Sequence, residues 1–184
     1  MRLRPPSPIC DDAEFSEDGK RRYWLSRHVA PSGPVGLYLG LNPSTAGADR
    51  DDHTVRKWSG FARRFGWTGY WVGNVSTHIE PHSKKLKQLS QAELVGPDDN
   101  AVLEALIAGA DHIVLCWGNG IPSPILWRAN EVLSLVYARA RPSAVSMFGL
   151  SKKGQPVHPL TLGYDTPLQG YYPPPERASR RDSE

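Results

Sequence analysis

Four short apolar runs alternate with stretches of helical periodicity, and this alternation limits the folds open to the chain more than any other feature. The runs are Val35-Gly-Leu-Tyr-Leu-Gly-Leu41, Gly69-Tyr-Trp-Val-Gly-Asn-Val75, Asp111-His-Ile-Val-Leu-Cys-Trp-Gly118 and Ala144-Val-Ser-Met-Phe-Gly149. Apolar runs of this length suit strands buried on both faces. Between them, apolar residues recur at spacings of three and four. Val55, Trp58, Phe61, Ala62 and Phe65 do so from His53 to Phe65, with Asp52 or Thr54 placed to cap the helix and Gly66 to stop it. Ala101, Leu103, Leu106 and Ile107 give a second helix a buried stripe from about Asp98 to Ala108, and Leu126, Ala129, Leu133 and Val136 give a third, from Ile125 to Ala138. Strand and helix in alternation imply a three-layer α/β/α arrangement around a four-stranded, mostly parallel central sheet. Ahead of it, Asp18-Gly19 separates two strand-like runs and predicts an N-terminal β-hairpin, because both central residues of such a turn need positive φ. The expected organisation is a flexible lead-in over 1–12, one α/β domain over 13–168 and an irregular Pro- and Arg-containing tail over 169–184.

At 184 residues the chain can bury a core without staples. Its two cysteines, Cys10 and Cys116, are too few for a disulfide framework, a four-cysteine zinc site or an iron–sulfur cluster. No apolar run approaches the roughly 20 residues of a membrane span, and Met1-Arg-Leu-Arg-Pro-Pro lacks the apolar core of a signal peptide. The chain therefore reads as cytoplasmic, with no membrane partner. A net charge of +3 permits a polyanionic partner without requiring one.

Ligands of open α/β sheets bind beyond the carboxyl ends of the strands. There this chain places Asn42, Asn74 and Trp117-Gly118, and the loop after the last run adds His158. Asn42-Pro43 reads either as a strand terminus satisfying a turn or as a fixed amide that positions water or a polar ligand. Asn74 repeats the pattern, and its amide offers donors and an acceptor in one plane, as reading a nucleobase edge requires. Trp117, beside Gly118, suits a stacking platform. His158, held between prolines in Gly154-Gln-Pro-Val-His-Pro-Leu160, suits a donor to developing negative charge. The acidic loop Asp49, Asp51, Asp52 with His53 supports helix capping, a general base or a hard-metal site. Lys84, Lys85 and Lys87, with Lys152 and Lys153, are either solvated surface or contacts to nucleic-acid phosphates.

Leu41-Asn-Pro-Ser-Thr-Ala, Asp51-Asp52-His-Thr, Gly73-Asn74, Cys116-Trp-Gly and Gly154-Gln-Pro-Val-His-Pro-Leu, in that order, resemble a bacterial and phage family catalogued as domain of unknown function 1643. The resemblance covers about Tyr23 to Leu168. That family is in turn distantly similar to the uracil-DNA glycosylase superfamily. Gly40-Leu-Asn-Pro-Ser44 resembles its Gly-Leu-Asn-Pro-Gly motif, Asn74 its base-reading Asn, and His158-Pro-Leu160 its His-Pro-Ser motif. The resemblance implies a uracil-DNA-glycosylase-like fold and a nucleobase-processing hydrolase that cleaves an N-glycosidic bond in a nucleic acid or nucleotide, with no metal and no cofactor. Asn42 and Asp52 would place the attacking water, Asn74 would read the base, and His158 would stabilise the departing charge. Gly40, Pro43, Ser44 and Trp117 would enclose the base. Ser44 stands where the related motif has Gly, Leu160 where it has Ser, and Asp49 to Asp52 have no counterpart there. Two alternatives remain beside it: a non-catalytic nucleic-acid or nucleotide binder on the same fold, and a metal-dependent phosphoryl hydrolase built on Asp49, Asp51, Asp52 and His53. Nothing in the sequence indicates a protein partner.

Overall fold

The computed structural model describes Pro5 and residues 9–171. Strands β3 (Val35–Gly40), β4 (Gly69–Asn74), β5 (His112–Leu115) and β6 (Val145–Met147) are the four apolar runs, parallel to one another in the spatial order β4-β3-β5-β6. They are joined by helices α1 (His53–Arg64), α2 (Gln91–Leu94), α3 (Asp99–Gly109) and α4 (Leu126–Arg139). Alternate residues of β3 enter two separate apolar clusters, as the two-residue period of a strand dictates. Leu37 and Leu39 pack with Val102, Leu103 and Leu106 of α3 and with Ala129 and Val132 of α4. Tyr38 packs with Val55, Trp58, Phe61 and Ala62 of α1. Ala101 is not part of the α3 stripe. It is exposed, and Val102 is buried instead, because the buried positions 99, 102, 103, 106 and 107 recur at three and four and leave 101 off that face.

The sheet has seven strands, not four. The hairpin β1 (Asp12–Phe15) and β2 (Arg22–His28) turns at Gly19, φ +68°, and β2 pairs antiparallel with β4. At the other edge Gln169–Gly170 forms β7, antiparallel to β6, so the expected irregular tail begins in a strand; 172–184 lie outside the described residues, as do residues 1–4 and 6–8 of the expected lead-in. The physical reason is that β4 and β6 would otherwise present unpaired backbone groups at the sheet edges. Among the described residues no helix is long and apolar enough to cross a membrane.

Connection order positions the site. From β3 the chain moves to β4 on one side, then returns past β3 to β5 on the other, so a crevice opens beyond the carboxyl ends of the strands where the order reverses. Pairing continues past the strand ends: the amides of Val75 and Ser76 donate to the carbonyls of Gly40 and Leu41. Buried polar groups hold this segment from behind. Arg128 Nε donates to Val75 O, Ser76 Oγ to Leu94 O and Thr77 Oγ1 to Asp99 Oδ2, at 3.0, 2.8 and 3.0 Å. Burial pushes the Asp99 carboxyl above its usual range, against the pull of the Gly96 amide, Thr77, Arg21 and Arg128.

Candidate functional site

A cavity of about 360 Å³ lies at these strand ends, within the range of small-ligand pockets. Its wall includes Gly40, Asn42, Ser44, Asp52, Asn74, Trp117 and His158 from the sequence-predicted set. Pro43 is buried beside it but does not line it. Its carbonyl receives the Glu80 amide at 3.1 Å. Lys84, Lys85, Lys152 and Lys153 are exposed and lie outside the wall. The first two follow Ser83, which lines the cavity, and the second two follow Ser151, whose Oγ is 2.5 Å from Oδ1 of the lining residue Asn119.

Asn74 closes β4 directly opposite Gly40 of β3. It is 2% exposed, and among the described residues its Nδ2 has no hydrogen-bond partner. A buried amide nitrogen without an acceptor is costly, so this donor is free to serve a ligand oxygen or an ordered water. Gly40 makes room for it: a Cβ there would stand 2.8 Å from Asn74 Oδ1. The alanine variant is accommodated by displacing the end of the Asn74 side chain rather than the backbone. Gly40→Ala is therefore expected to fold with nearly unchanged thermal stability and to weaken ligand binding in the cavity on the order of 10-fold, the scale of one misplaced hydrogen-bond donor. Circular dichroism melting read beside a binding titration checks both halves.

Asn42 is committed on one side. Its Nδ2 donates to Pro43 O at 2.9 Å and to Glu80 O at 2.7 Å, fixing the loop and leaving Oδ1 without a protein donor among the described residues. His158 is fixed by its own motif. Nδ1 accepts the Leu160 amide at 3.2 Å, which puts the proton of the neutral ring on Nε2. Burial lowers its pKa from the ordinary 6.5, the Asp52 charge opposing. The ring sits 6.2 Å from that of Trp58, centroid to centroid, and Gly118, φ +73°, covers the base of the side chain: a Cβ added there would stand 2.9 Å from His158 Cβ, which excludes a side chain.

The acidic loop does not act as one cluster. Asp49 is exposed, Asp51 pairs with buried Arg27 at 2.7 Å, and Asp52 caps α1 by accepting the Val55 amide at 2.9 Å while lining the cavity. Among the described residues, no three His, Cys, Asp or Glu side chains come together as metal ligands would.

Trp58 and Arg22 are among the lining residues that the sequence did not assign to the site. Trp58 reads as core from its helical spacing, and it is core, yet it also faces the cavity; its Nε1 lies against the Cys116 thiol, which burial pushes up to about 12, and has no other partner. Trp117, by contrast, has its Nε1 anchored on Gln155 Oε1 at 2.8 Å. Arg22 enters from β2, donating to Ala46 O at 2.7 Å, just as Arg27 donates to Gly47 O at 2.6 Å, so one strand straps the whole acidic loop. The available signal was two arginines within a run, Arg22-Tyr-Trp-Leu-Ser-Arg27, that is otherwise strand-like.

Neither curated proteins nor solved structures yield a match to this chain. Residues 22–160 match the family described as Protein of unknown function (DUF1643). That span contains every lining residue of the cavity, and the chain belongs to that family.

Proposed function

We propose that the protein is a nucleobase-processing hydrolase that cleaves an N-glycosidic bond in a nucleic acid or nucleotide, and that its three-layer architecture is uracil-DNA-glycosylase-like. The observation that carries the reading is the orphaned Asn74 amide nitrogen in a cavity that also holds the His158 ring and the free carbonyl of Asn42. A base between the indoles of Trp58 and Trp117 would offer Asn74 the acceptor it lacks. As the C1′–N bond breaks, its electron pair leaves with the base, and His158 Nε2–H donates to the charge that develops. A water placed by Asn42 Oδ1 and Asp52 forms the new C1′–O bond, and its proton passes through Asp52 to solvent or to the departing base. No step needs a metal. Lys84, Lys85, Lys152 and Lys153 would contact phosphates of a polymeric substrate.

Neutral His158 is the acting form, since protonating Nδ1 would set it against the Leu160 amide. Activity is then full above the folded-state pKa and falls as pH drops through it, below 6.5. Stability has the same sign, because a depressed histidine pKa lets the unfolded chain bind the proton first. Measuring base release from about pH 4.5 to about pH 8 tests this. An acid limb below 6.5, absent from the residual activity of His158→Gln, is expected; a limb that persists in His158→Gln would remove His158 from the mechanism. The second reading, a non-catalytic binder, is favoured by the same orphaned donor and differs in yielding no free base.

A further inference from the structure

Arg22 is a buried cation that no carboxylate contacts among the described residues; the Asp52 charge acts on it only from beyond ion-pairing distance, and burial lowers its pKa to about 10. It is 3% exposed, as deep as Arg27 at 4% and Arg128 at 1%. Those two each hold a carboxylate, Asp51 and Glu131 respectively. Among the described residues Arg22 forms no ion pair. Its only side-chain hydrogen bond runs to the Ala46 carbonyl, and its Nε is occluded and unpartnered. The carboxylates in the cavity wall, Asp52 and Glu80, stay beyond ion-pairing distance; the Asp52 oxygen serves the Val55 amide and that of Glu80 the His82 amide. Burying a guanidinium this way is unfavourable unless something brings an acceptor to it.

Burial locates the missing group. Arg22 and Asn74, with its own orphaned Nδ2, are among the buried residues of the cavity wall, whereas Pro81, Asn119, Gly120 and Leu160 of the same wall are exposed. Resting on the base-binding reading above, we infer that this buried part of the cavity wall forms an oxyanion subsite, in which Arg22, together with Asn74, binds a carboxylate or phosphate that is part of the ligand. The substrate class is thereby an acidic one: a nucleobase carrying a carboxylate, or a nucleotide whose own phosphate is taken inside. A guanidinium presents its donors in a fixed fork that matches either group.

Trp58 and Trp117 line the same cavity, so quenching of their fluorescence reports occupancy without turnover. The probes are two matched pairs, uracil against uracil-6-carboxylate and uridine against uridine 5′-monophosphate. Wild-type protein is expected to bind the acidic member of one pair about 10-fold or more tightly than its neutral parent. The carboxylate pair assigns the oxyanion to the base, the monophosphate pair to the sugar. Arg22→Met, whose folding is checked by thermal melting, is expected to abolish the advantage, and Arg22→Lys to retain part of it. Should Arg22→Met not fold, Asn74→Asp, which sets a carboxylate beside the subsite, is expected to abolish the advantage in its place. Equal binding within both pairs, no saturable quenching by either acid, or an advantage that survives in folded Arg22→Met or Asn74→Asp would overturn the inference. Base release is scored separately. An acid preference without release sinks hydrolysis and leaves the subsite standing, and release without acid preference does the reverse.

Discussion

Replacing His158 by alanine is expected to lower base release at least about 100-fold, the loss typical of removing one preorganised donor to developing charge. The melting temperature should stay close to that of the parent, because the ring is held by one local hydrogen bond from the Leu160 amide and packs only at the cavity wall. His158→Gln keeps a side-chain donor and should recover part of the loss. The effect belongs in kcat rather than KM if the imidazole acts on charge that exists only in the transition state. Steady-state kinetics of the two variants, with melting curves, separate this from a structural role. Unchanged kcat in His158→Ala would show that the histidine only fills space beneath Gly118.

The second large effect falls on stability. Arg128 is 1% exposed and donates to Val75 O at 3.0 Å, Asn100 Oδ1 at 2.5 Å and Glu131 Oε2 at 2.8 Å. Arg128→Ala leaves the Val75 carbonyl and the Asn100 acceptor without their partner and opens a void under α4. Losses from breaking such buried charged contacts run to about 3–5 kcal/mol. For a chain of this length that corresponds to a fall in melting temperature of about 10 °C. Val75 follows Asn74 directly, so ligand affinity should fall with stability. Arg128→Met, which keeps the apolar stem, should lose less. Differential scanning calorimetry of both variants checks the ranking; equal melting temperatures for parent and Arg128→Ala would show that the network contributes nothing.

Strand–helix alternation made the four parallel strands legible because each apolar run had to be buried on both faces, and the polar residues ending β3, β4 and β5 followed from where strands stop. Asn42, Asn74, Trp117 and His158 were therefore visible from the chain, and they share one cavity wall. Docking of the hairpin was not visible, since alternation within β2 does not say which sheet edge it joins. Arg22 was lost with it. Its side chain reaches Ala46, 24 positions away, and only that pairing of β2 with β4 brings it there. The acidic loop stayed ambiguous for a related reason: the partner that occupies Asp51 is Arg27 of the same strand, while Asp52 was legible as a cap from its position before α1. Trp58 shows a limit of periodicity, which assigns a helix face to the core but not the end of that core that opens into a cavity.

The central claim is that this cavity breaks a bond between a base and a sugar. It is tested most directly by incubating the purified protein with a panel of modified and unmodified oligonucleotides and nucleotides, and searching the small-molecule fraction by mass spectrometry for free base. A stoichiometric free base and a matching abasic product are expected from at least one acidic substrate, both missing with His158→Ala and Asn74→Ala. Ligands that bind saturably in the cavity yet are recovered intact across the whole panel would contradict it.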